Sequence, residues 1–310
     1  MDGLLTRPYQ PGDAEAIVQL AREAAGHAGG HFGKSAADLA AYLAGHLANP
    51  ETDSRLVVTA DGDLAAMGFV GTPPPGGSHV DLLGGVHPAW RGRGIGRELL
   101  AWQLARAGEL HRAVAPNREW EAELSINTGD QPAVRLFERF GLAPVRYWFD
   151  MVAPTGPVDA AVPAELRVEP YDARYDRDLH AVHVGVFAEH WGYQPRPFDL
   201  WAPMTIRSAS FRPDLSVLAF DGDEIVGYVL AYTENDPDRI YIGQVGVVQR
   251  WRRRGVAGGL LARALATAGK AGFGRAGLVV DAASPVGAVG VYERVGFTVE
   301  SRTVTYRTKL

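Results

Sequence analysis

An internal repeat limits the folds open to this chain of 310 residues. An apolar run leads into Trp90-Arg91-Gly92-Arg93-Gly94, and a similar run leads into Trp251-Arg252-Arg253-Arg254-Gly255 about 160 residues later. Three further pairs recur in the same order: a Pro-Tyr pair near each start, an Asp-Gly-Asp turn, and an aromatic-Glu-Arg segment that ends in glycine and an apolar residue. Chance agreement at four ordered points is implausible, so the sequence predicts two similar domains.

The composition between the two copies predicts the domain boundary. Residues 154–164 are rich in Pro, Gly and Ala and contain few large apolar side chains, which is typical of a linker. We therefore expect an N-terminal domain over residues 1–153, a linker over 154–164, and a C-terminal domain over 165–310.

Each copy combines hairpin and helix signals. The turns at Asp61-Gly62 and Asp221-Gly222 lie between apolar and β-branched runs, which favours an antiparallel strand pair. After each glycine-containing turn, apolar residues recur at helical spacing: Ile95, Leu99, Leu100 and Leu104 in the first copy, and Val256, Leu260, Leu261 and Leu265 in the second. The pattern indicates an α/β or α+β architecture, twice.

Composition excludes several classes of function. With 31 Lys and Arg against 36 Asp and Glu, the formal net charge is −5, so no overall positive charge attracts nucleic acid or an anionic membrane. The chain has no cysteine, which excludes disulfides, thiolate metal sites and a cysteine nucleophile. Neither a secretory signal nor an apolar run near 18 residues is present, so a cytoplasmic location is expected. The sequence is consistent with a monomer and with a homodimer.

In each copy an apolar, strand-like run passes through the Arg- and Gly-rich turn into an amphipathic helix. A helix N-terminus has unpaired N–H groups and a partial positive charge, and glycine lets the backbone close on an anion. The turns lack the Gly-Lys-Ser/Thr of a P-loop, and a dinucleotide fingerprint starting at Gly92 would put Arg97 at its third glycine. The order of elements therefore predicts a diphosphate site of another kind.

Both turns have the pattern Arg-x-x-Gly-x-Gly/Ala, and the second copy continues to Tyr292-Glu293-Arg294-Val295-Gly296-Phe297. These features resemble the GCN5-related N-acetyltransferase (GNAT) family, whose coenzyme A pyrophosphate loop and following helix have these patterns. The tandem arrangement resembles that of mycothiol synthases. The resemblance implies two domains, each with a mixed, mostly antiparallel sheet flanked by helices, acetyl-CoA as co-substrate, and no metal.

The resemblance also implies which residues contact the coenzyme. A backbone N–H of the central strand in the second copy is expected to stabilise the oxyanion. The expected contact residues are Val245, Gly246, Val247, Arg252, Arg253, Arg254, Gly255, Val256, Ala257 and Gly258 in the second copy, and Val86, Arg91, Gly94 and Gly96 in the first.

The family places a phenol where it protonates the departing thiolate. A phenol with a pKa of about 10 can donate a proton to a thiolate whose acid has a pKa of about 8.5. Tyr292 occupies this position in the second copy, and Phe137 occupies it in the first. We therefore expect the C-terminal domain to catalyse and the N-terminal domain to act as a scaffold, with or without bound acetyl-CoA.

The general base and the acceptor pocket are less strongly indicated. Mycothiol synthases have a glutamate on the central strand where this chain has Tyr241, so Glu234 in the preceding hairpin is the candidate base, acting directly or through water. A solvated surface role is the alternative. His190, Trp191 and Tyr193 are expected to line the acceptor pocket with Tyr241; simple packing at a helix end is the alternative.

Two other clusters receive a different interpretation. His27 and His31 are four residues apart, but Gly29-Gly30 between them breaks the helix that would put them on one face, so no metal site is expected. The basic residues around Arg250 suggest nucleic acid, but contact with coenzyme A phosphates explains their location better.

The sequence predicts an acetyl-CoA-dependent N-acetyltransferase that acts on the primary amine of a small molecule by direct attack in a ternary complex. One alternative is a non-catalytic coenzyme A-binding sensor or scaffold. Another is mycothiol synthase itself, acting on a cysteinyl pseudodisaccharide, against which Tyr241 counts. The family fold does not select the acceptor.

Overall fold

A computed structural model describes residues 3–25, 35–284 and 287–310 of the chain. The chain divides into two units. Unit 1 consists of Met1–Arg146 and Thr303–Leu310, and unit 2 consists of Tyr147–Arg302. The sequence-based boundary at 154–164 thus lies inside unit 2, and the last residues of the chain return to unit 1.

Unit 1 begins with a strand and two helices that precede its main hairpins. Its elements in chain order are β1 (Leu4–Arg7), α1 (Ala14–Ala25), α2 (Ala36–His46), α3 (Pro50–Asp53), β2 (Ser54–Thr59), β3 (Leu64–Val70), β4 (His79–Val86), α4 (Ile95–Val114), β5 (Glu121–Asn127), α5 (Gln131–Arg139) and the start of β6 (Ala143–Pro154).

Unit 2 repeats this order with a shorter second helix. After the second half of β6 its elements are β7 (Arg167–Pro170), α6 (Asp176–Phe187), α7 (Phe198–Trp201), β8 (Val217–Asp221), β9 (Glu224–Thr233), β10 (Arg239–Val247), α8 (Val256–Lys270), β11 (Arg275–Asp281), α9 (Ala288–Arg294) and the start of β12 (Thr298–Lys309).

Each unit contains a mixed sheet that is mostly antiparallel, as expected. In unit 1 the strands β1, β2, β3 and β4 pair antiparallel in sequence, and β4 then pairs parallel with β5. In unit 2 the strands β7, β8, β9 and β10 do the same, and β10 pairs parallel with β11. The predicted fold class is therefore confirmed.

The last strand of each unit comes from the other copy of the repeat. In unit 2, β11 pairs antiparallel with residues 148–154 of β6, which end the first copy. In unit 1, β5 pairs antiparallel with residues 303–309 of β12, which end the chain. This exchange is why the units and the sequence repeats have different boundaries.

The parallel strand pair of each unit separates partway along its length. In unit 2, β10 and β11 pair only from Arg239 to Tyr241 on β10, and beyond this the described residues of the two strands no longer pair with each other. In unit 1, β4 and β5 pair only from His79 to Asp81 on β4. Each unit therefore has a cleft between the carboxyl ends of two parallel strands, which is where open α/β sheets bind ligands.

The helix that follows each glycine-containing turn packs as the apolar spacing predicts. Val256, Leu260 and Leu265 of α8 are at most 1% exposed and join the core of unit 2. The segment expected to be a linker also packs on this helix: the Gly156 N–H donates to the Leu265 carbonyl at 3.0 Å. A Cβ on Gly259 would lie 2.3 Å from the Val162 nitrogen, so glycine allows backbone to approach backbone here.

Candidate active site

The turn between β10 and α8 presents backbone N–H groups at a helix start. Gly255 caps α8 with a left-handed φ of +84°, and Arg253 has a φ of +62°. Among the described non-glycine residues, Arg253 alone has a positive φ. The first N–H groups of α8, those of Val256, Ala257 and Gly258, have no acceptor within the helix, which makes this end suited to an anion.

The turn of unit 1 has the same conformation. Gly92 and Gly94 have φ angles of +76° and +86°, and Gly94 caps α4. The third residue of each Arg-Gly-Arg or Arg-Arg-Arg run stacks on the preceding tryptophan: the Arg93 guanidinium lies 4.5 Å from the Trp90 ring centroid. In unit 2 the Arg254 guanidinium stacks on Trp251 in the same way, at 4.9 Å.

The first arginine of each turn holds the turn to the strand that precedes it. Arg252 Nε donates to the Val247 carbonyl at 3.2 Å, and its guanidinium forms an ion pair with Glu189 at 2.6 Å. Arg91 Nε likewise donates to the Val86 carbonyl at 3.3 Å. Both guanidiniums contact protein atoms, and these contacts hold the turn geometry.

Arg253 differs from its neighbours in the turn. Its side chain is exposed, and no ion pair or hydrogen bond connects it to any of the residues that the structure describes. Of the three consecutive arginines, it is therefore the one whose guanidinium is best placed to meet a phosphate at the start of α8.

The edge of β10 that faces the cleft carries backbone donors. The Val248 N–H donates to the Val226 carbonyl of β9 at 2.9 Å. Successive N–H groups of a strand point to opposite edges, so those of Val245 and Val247 point to the edge that β11 has left. Within Val245-Gly246-Val247, the segment expected to supply the oxyanion donor, the two valines therefore present their N–H groups at this edge.

A β-bulge distinguishes the central strand of unit 2. The pairing of β10 with β9 shifts between Ile242 and Gln244, and the Tyr232 ring lies 2.5 Å from where a Cβ on Gly243 would be. In unit 1 the pairing of β4 with β3 runs in one register throughout. Bulges re-aim side chains and are often found beside functional sites, and the β3–β4 pairing of unit 1 has no such shift.

Two phenols of unit 2, Tyr241 on β10 and Tyr292 on α9, interact electrostatically. Tyr292 on α9 packs edge-on against Phe297 at 6.0 Å, and burial raises the pKa of its phenol to about 12. Burial also raises the pKa of Tyr241 on β10, and the charges of Glu234 and Asp150 raise it further. A negative charge on Tyr292 would also raise the pKa of Tyr241, so each phenol disfavours ionisation of the other.

The candidate base Glu234 lies beside Tyr241 but is engaged in an ion pair. Arg239 Nε lies 2.9 Å from the Glu234 carboxylate, and the same guanidinium contacts Glu300 at 2.9 Å. In unit 1, the position of Tyr292 is taken by Phe137, whose ring packs edge-on against Tyr306 at 5.6 Å.

The aromatic segment after α6 reaches from the turn to β6. His190 stacks on Trp148 with ring centroids 5.8 Å apart, and Trp191 meets the same ring edge-on at 5.9 Å. Glu189 in this segment holds Arg252 of the turn. Tyr193 instead packs against Phe187 of α6. Of the three residues expected in the acceptor pocket, His190 and Trp191 thus both contact Trp148, and His190 and Tyr193 both contact Phe187 of α6.

Sequence reasoning missed Trp148 and Asp150, because both belong to the exchanged half of β6. Within the described ranges, no group of three or more His, Asp or Glu side chains is arranged to hold a metal ion. His27 and His31 lie outside those ranges. Nor does any helix in the described part of the chain have the length and apolar character needed to cross a bilayer.

Comparison with known proteins gives the same assignment for both units. The acetyltransferase (GNAT) family model matches residues 178–297, and an acetyltransferase (GNAT) domain model matches residues 52–141. A mycothiol acetyltransferase from Thermobispora bispora is 30% identical to this chain over 96% of each sequence.

Solved structures agree. A GCN5-related N-acetyltransferase from Sphaerobacter thermophilus has a TM-score of 0.77 and 27% identity, covering 100% of this chain and 96% of that one. A tandem GNAT protein from the clavulanic acid biosynthesis pathway shares the fold, with a TM-score of 0.66 and 17% identity over 99% of this chain and 98% of that one. The two turns, the tandem fold and these relatives all lead to one conclusion: the chain is an N-acetyltransferase that belongs to the GNAT family.

Proposed function

We propose that the protein transfers an acetyl group from acetyl-CoA to the primary amine of a small molecule, and that unit 2 carries out the reaction. GNAT acetyltransferases use acetyl-CoA. The observation that carries the assignment to unit 2 is that the cleft, the bulged strand and the phenol of Tyr292 occur together there, whereas unit 1 has Phe137 at the equivalent position.

In this proposal the diphosphate of the co-substrate lies at the start of α8. The N–H groups of Val256, Ala257 and Gly258 donate to it, and Arg253 supplies a positive charge. The thioester then lies along the cleft edge of β10, where the N–H of Val245 or Val247 donates to the carbonyl oxygen as negative charge develops on it.

The acceptor nitrogen, after losing one proton, attacks the thioester carbon, and the carbon–sulfur bond breaks. Tyr292 donates a proton to the departing thiolate and regains one as the amide nitrogen loses its second proton, so the enzyme is unchanged after each cycle. The phenol is protonated at neutral pH and so has a proton to donate; burial, which raises its pKa to about 12, makes it a weaker acid and favours the step in which it regains the proton. Glu234 stays a candidate for accepting the first proton through water.

A second candidate is the activity for which several relatives are named. Mycothiol acetyltransferases at about 30% identity favour it. Tyr241 counts against it, because it replaces a glutamate on the central strand. A third candidate, a coenzyme A-binding scaffold without turnover, would leave the Tyr292 phenol with no task.

One screen separates these candidates. The purified protein is incubated with acetyl-CoA and a panel of primary amines that includes the mycothiol precursor, and free thiol is measured together with the mass of the product. We expect acetylation of at least one amine class. Acetylation of the precursor alone would favour the second candidate, and coenzyme binding without any product would favour the third.

A further inference from the structure

Strand register and packing define the face of the unit 2 sheet on which Gln244 lies. Gln244 of β10 is in register with Leu230 of β9. Leu230 belongs to the core cluster that also contains Leu179 of α6 and Trp201 of α7. Residues paired across neighbouring strands point to the same face of a sheet. The Gln244 side chain therefore lies on the face that α6 and α7 cover, which we call the α6 face.

The β-bulge brings this side chain to the α6 face. Tyr241 packs against the cluster on the α6 face, and regular alternation from Tyr241 would turn the Gln244 side chain toward α8. The pairing with β9 shifts between Ile242 and Gln244, so Gly243 is an extra residue that reverses the alternation. Glycine is required there because the Tyr232 ring occupies the space that a Cβ would need.

A tyrosine hydroxyl orients the Gln244 amide. Tyr232 OH donates to Gln244 Oε1 at 2.5 Å, and the Tyr232 side chain is fully buried. The amide oxygen is thereby engaged by the protein, whereas Nε2, with its two N–H donors, makes no hydrogen bond to any residue in the described ranges. The contact with Tyr232 thus fixes the direction of two donors that the described protein does not use.

The Gln244 donors lie in largely apolar surroundings. The side chain is half-buried, and the cluster on the α6 face consists of aromatic and aliphatic residues. An amide that gives up hydration without gaining a hydrogen bond costs free energy. On the opposite face of β10, Ile240, Ile242 and Val247 are at most 8% exposed beneath α8. The α6 face is therefore the face of β10 that has side-chain donors left for a ligand.

Gln244 also lies next to the proposed reacting centre. It directly precedes Val245, one of the two valines whose N–H groups point to the cleft edge. The Cα atoms of consecutive residues are about 3.8 Å apart. An acceptor whose nitrogen attacks a thioester held at Val245 would therefore bring the atoms next to that nitrogen close to the Gln244 amide.

The equivalent positions of unit 1 are different. Leu83 on β4 has the register position that Gln244 has on β10, two residues before a glycine. Leu83 packs against the core of unit 1, and Gly71 takes the position of Tyr232. The amide and the hydroxyl that orients it thus belong to the unit for which we propose the reaction.

We propose that the Gln244 amide donates a hydrogen bond to a carbonyl oxygen of the acceptor, and that the acceptor is a primary amine with a carbonyl group a few bonds from its nitrogen. This inference rests on the proposed function, since it names the acceptor class for that site. Nε2 only donates and a carbonyl oxygen only accepts, so the two groups match. Gln244 is a specificity-determining residue and takes no part in proton transfer or in breaking the carbon–sulfur bond.

The test uses two pairs of amines of equal shape. Glycinamide is paired with isobutylamine and β-alaninamide with isopentylamine, and only the first member of each pair has a carbonyl group. Dissociation constants are measured by ligand-observed NMR in the presence of saturating coenzyme A, for the wild type and for Gln244→Leu. Where acetylation occurs, kcat/KM is measured as well. Comparing the ratio within a pair between the two proteins cancels the difference in amine basicity.

We expect Gln244→Leu to shift this ratio about tenfold against the carbonyl member of at least one pair, because leucine removes the donor and leaves the carbonyl unpaired. Leucine is the residue that unit 1 has at this position. Gln244→Glu should shift the ratio in the same direction, because an ionised carboxylate accepts from Tyr232 but donates no hydrogen bond. A Gln244 that only packs against Tyr232 would change both members of a pair alike.

Gln249→Leu is the matched control, because Gln249 is an exposed glutamine just beyond β10. It should keep the wild-type ratio. A ratio that is unchanged in Gln244→Leu or in Gln244→Glu for both pairs would overturn the proposal, and so would a wild type that binds no member of either pair. Circular dichroism of each variant confirms that it is folded, and the glutamate variant provides the test if the leucine variant does not fold.

Failure of the proposed function gives a different result. If no amine is acetylated but the ratio of dissociation constants depends on Gln244, the binding site stands and the catalytic assignment fails. If amines are acetylated and neither the ratio of dissociation constants nor that of kcat/KM depends on Gln244, only the role of Gln244 is wrong.

Discussion

Arg253 has the left-handed backbone conformation that Gly92 has at the equivalent position of unit 1, with φ angles of +62° and +76°. A residue with a Cβ pays about 1 kcal/mol for this conformation, and glycine does not. The turn of unit 2 is therefore more strained than that of unit 1, and it has an exposed guanidinium at the start of α8. The function proposed for unit 2 provides a reason for this, because coenzyme phosphates are expected there.

The strain and the charge at Arg253 can be separated. We expect Arg253→Gly and Arg253→Ala to weaken coenzyme A binding alike, by about tenfold, because both remove the guanidinium. The glycine variant should be more stable than the alanine variant by about 1 kcal/mol, because only glycine removes the strain. Calorimetry and urea unfolding measure the two effects. Coenzyme binding equal to that of the wild type in both variants would refute the phosphate contact.

The two capping glycines provide a matched pair. Gly94 and Gly255 have φ angles of +86° and +84°, and a Cβ at either would lie 3.8 Å from the nearest atom beyond the adjoining residues. Valine should therefore strain both turns to a similar degree, by about 1–3 kcal/mol. We expect Gly255→Val to abolish acetyl transfer and Gly94→Val to lower the melting temperature while the folded enzyme keeps its kcat. Equal loss of kcat in both variants would contradict the assignment of catalysis to unit 2.

A buried histidine links the stability of unit 2 to pH. His183 on α6 is 5% exposed, and its Nδ1 lies 2.8 Å from the Tyr228 hydroxyl. Burial lowers the pKa of His183 to about 4, with smaller contributions from His180 and His190. The Tyr228 ring occupies the space that a Cβ on Gly246 would need, so His183 and Tyr228 pack together beneath β10.

The sign of the pH effect follows from the lowered pKa. The unfolded chain binds a proton at His183 near pH 6.5, and the folded chain does so only near pH 4. The contribution of neutral His183 is therefore complete above about pH 6.5 and is lost as the pH falls toward 4, by roughly 3 kcal/mol in total. Urea unfolding between pH 4 and 7 should show a smaller loss for His183→Asn. An equal pH slope in wild type and variant would contradict this.

Local patterns predicted the elements that the glycine turns organise. The helical spacing of Val256, Leu260 and Leu265 and the position of Gly255 before them were sufficient, because a helix and its cap depend on residues close in sequence. The same holds for the hairpin turns and for the contrast between Tyr292 and Phe137.

The pairing of strands that lie far apart in the chain could not be predicted from the sequence. Nothing in the composition of β6 indicates that its second half pairs with β11, more than 100 residues later, so Trp148 and Asp150 were not recognised as neighbours of Tyr241. The bulge at Gly243 was also missed, because its register depends on how the Tyr232 ring packs on the neighbouring strand. The alternation of apolar and polar residues along one strand does not show which strands pair with it.

The kcat of Tyr292→Phe tests the catalytic assignment most directly. Acetyl transfer by this variant is compared with that of the wild type and of Phe137→Tyr, using the best amine from the screen, while coenzyme A binding is measured in parallel. We predict that kcat falls about 100-fold with coenzyme binding unchanged, because the variant loses a proton donor and keeps the ring. Phe137→Tyr should leave kcat as it is. Unchanged turnover in Tyr292→Phe would contradict the account.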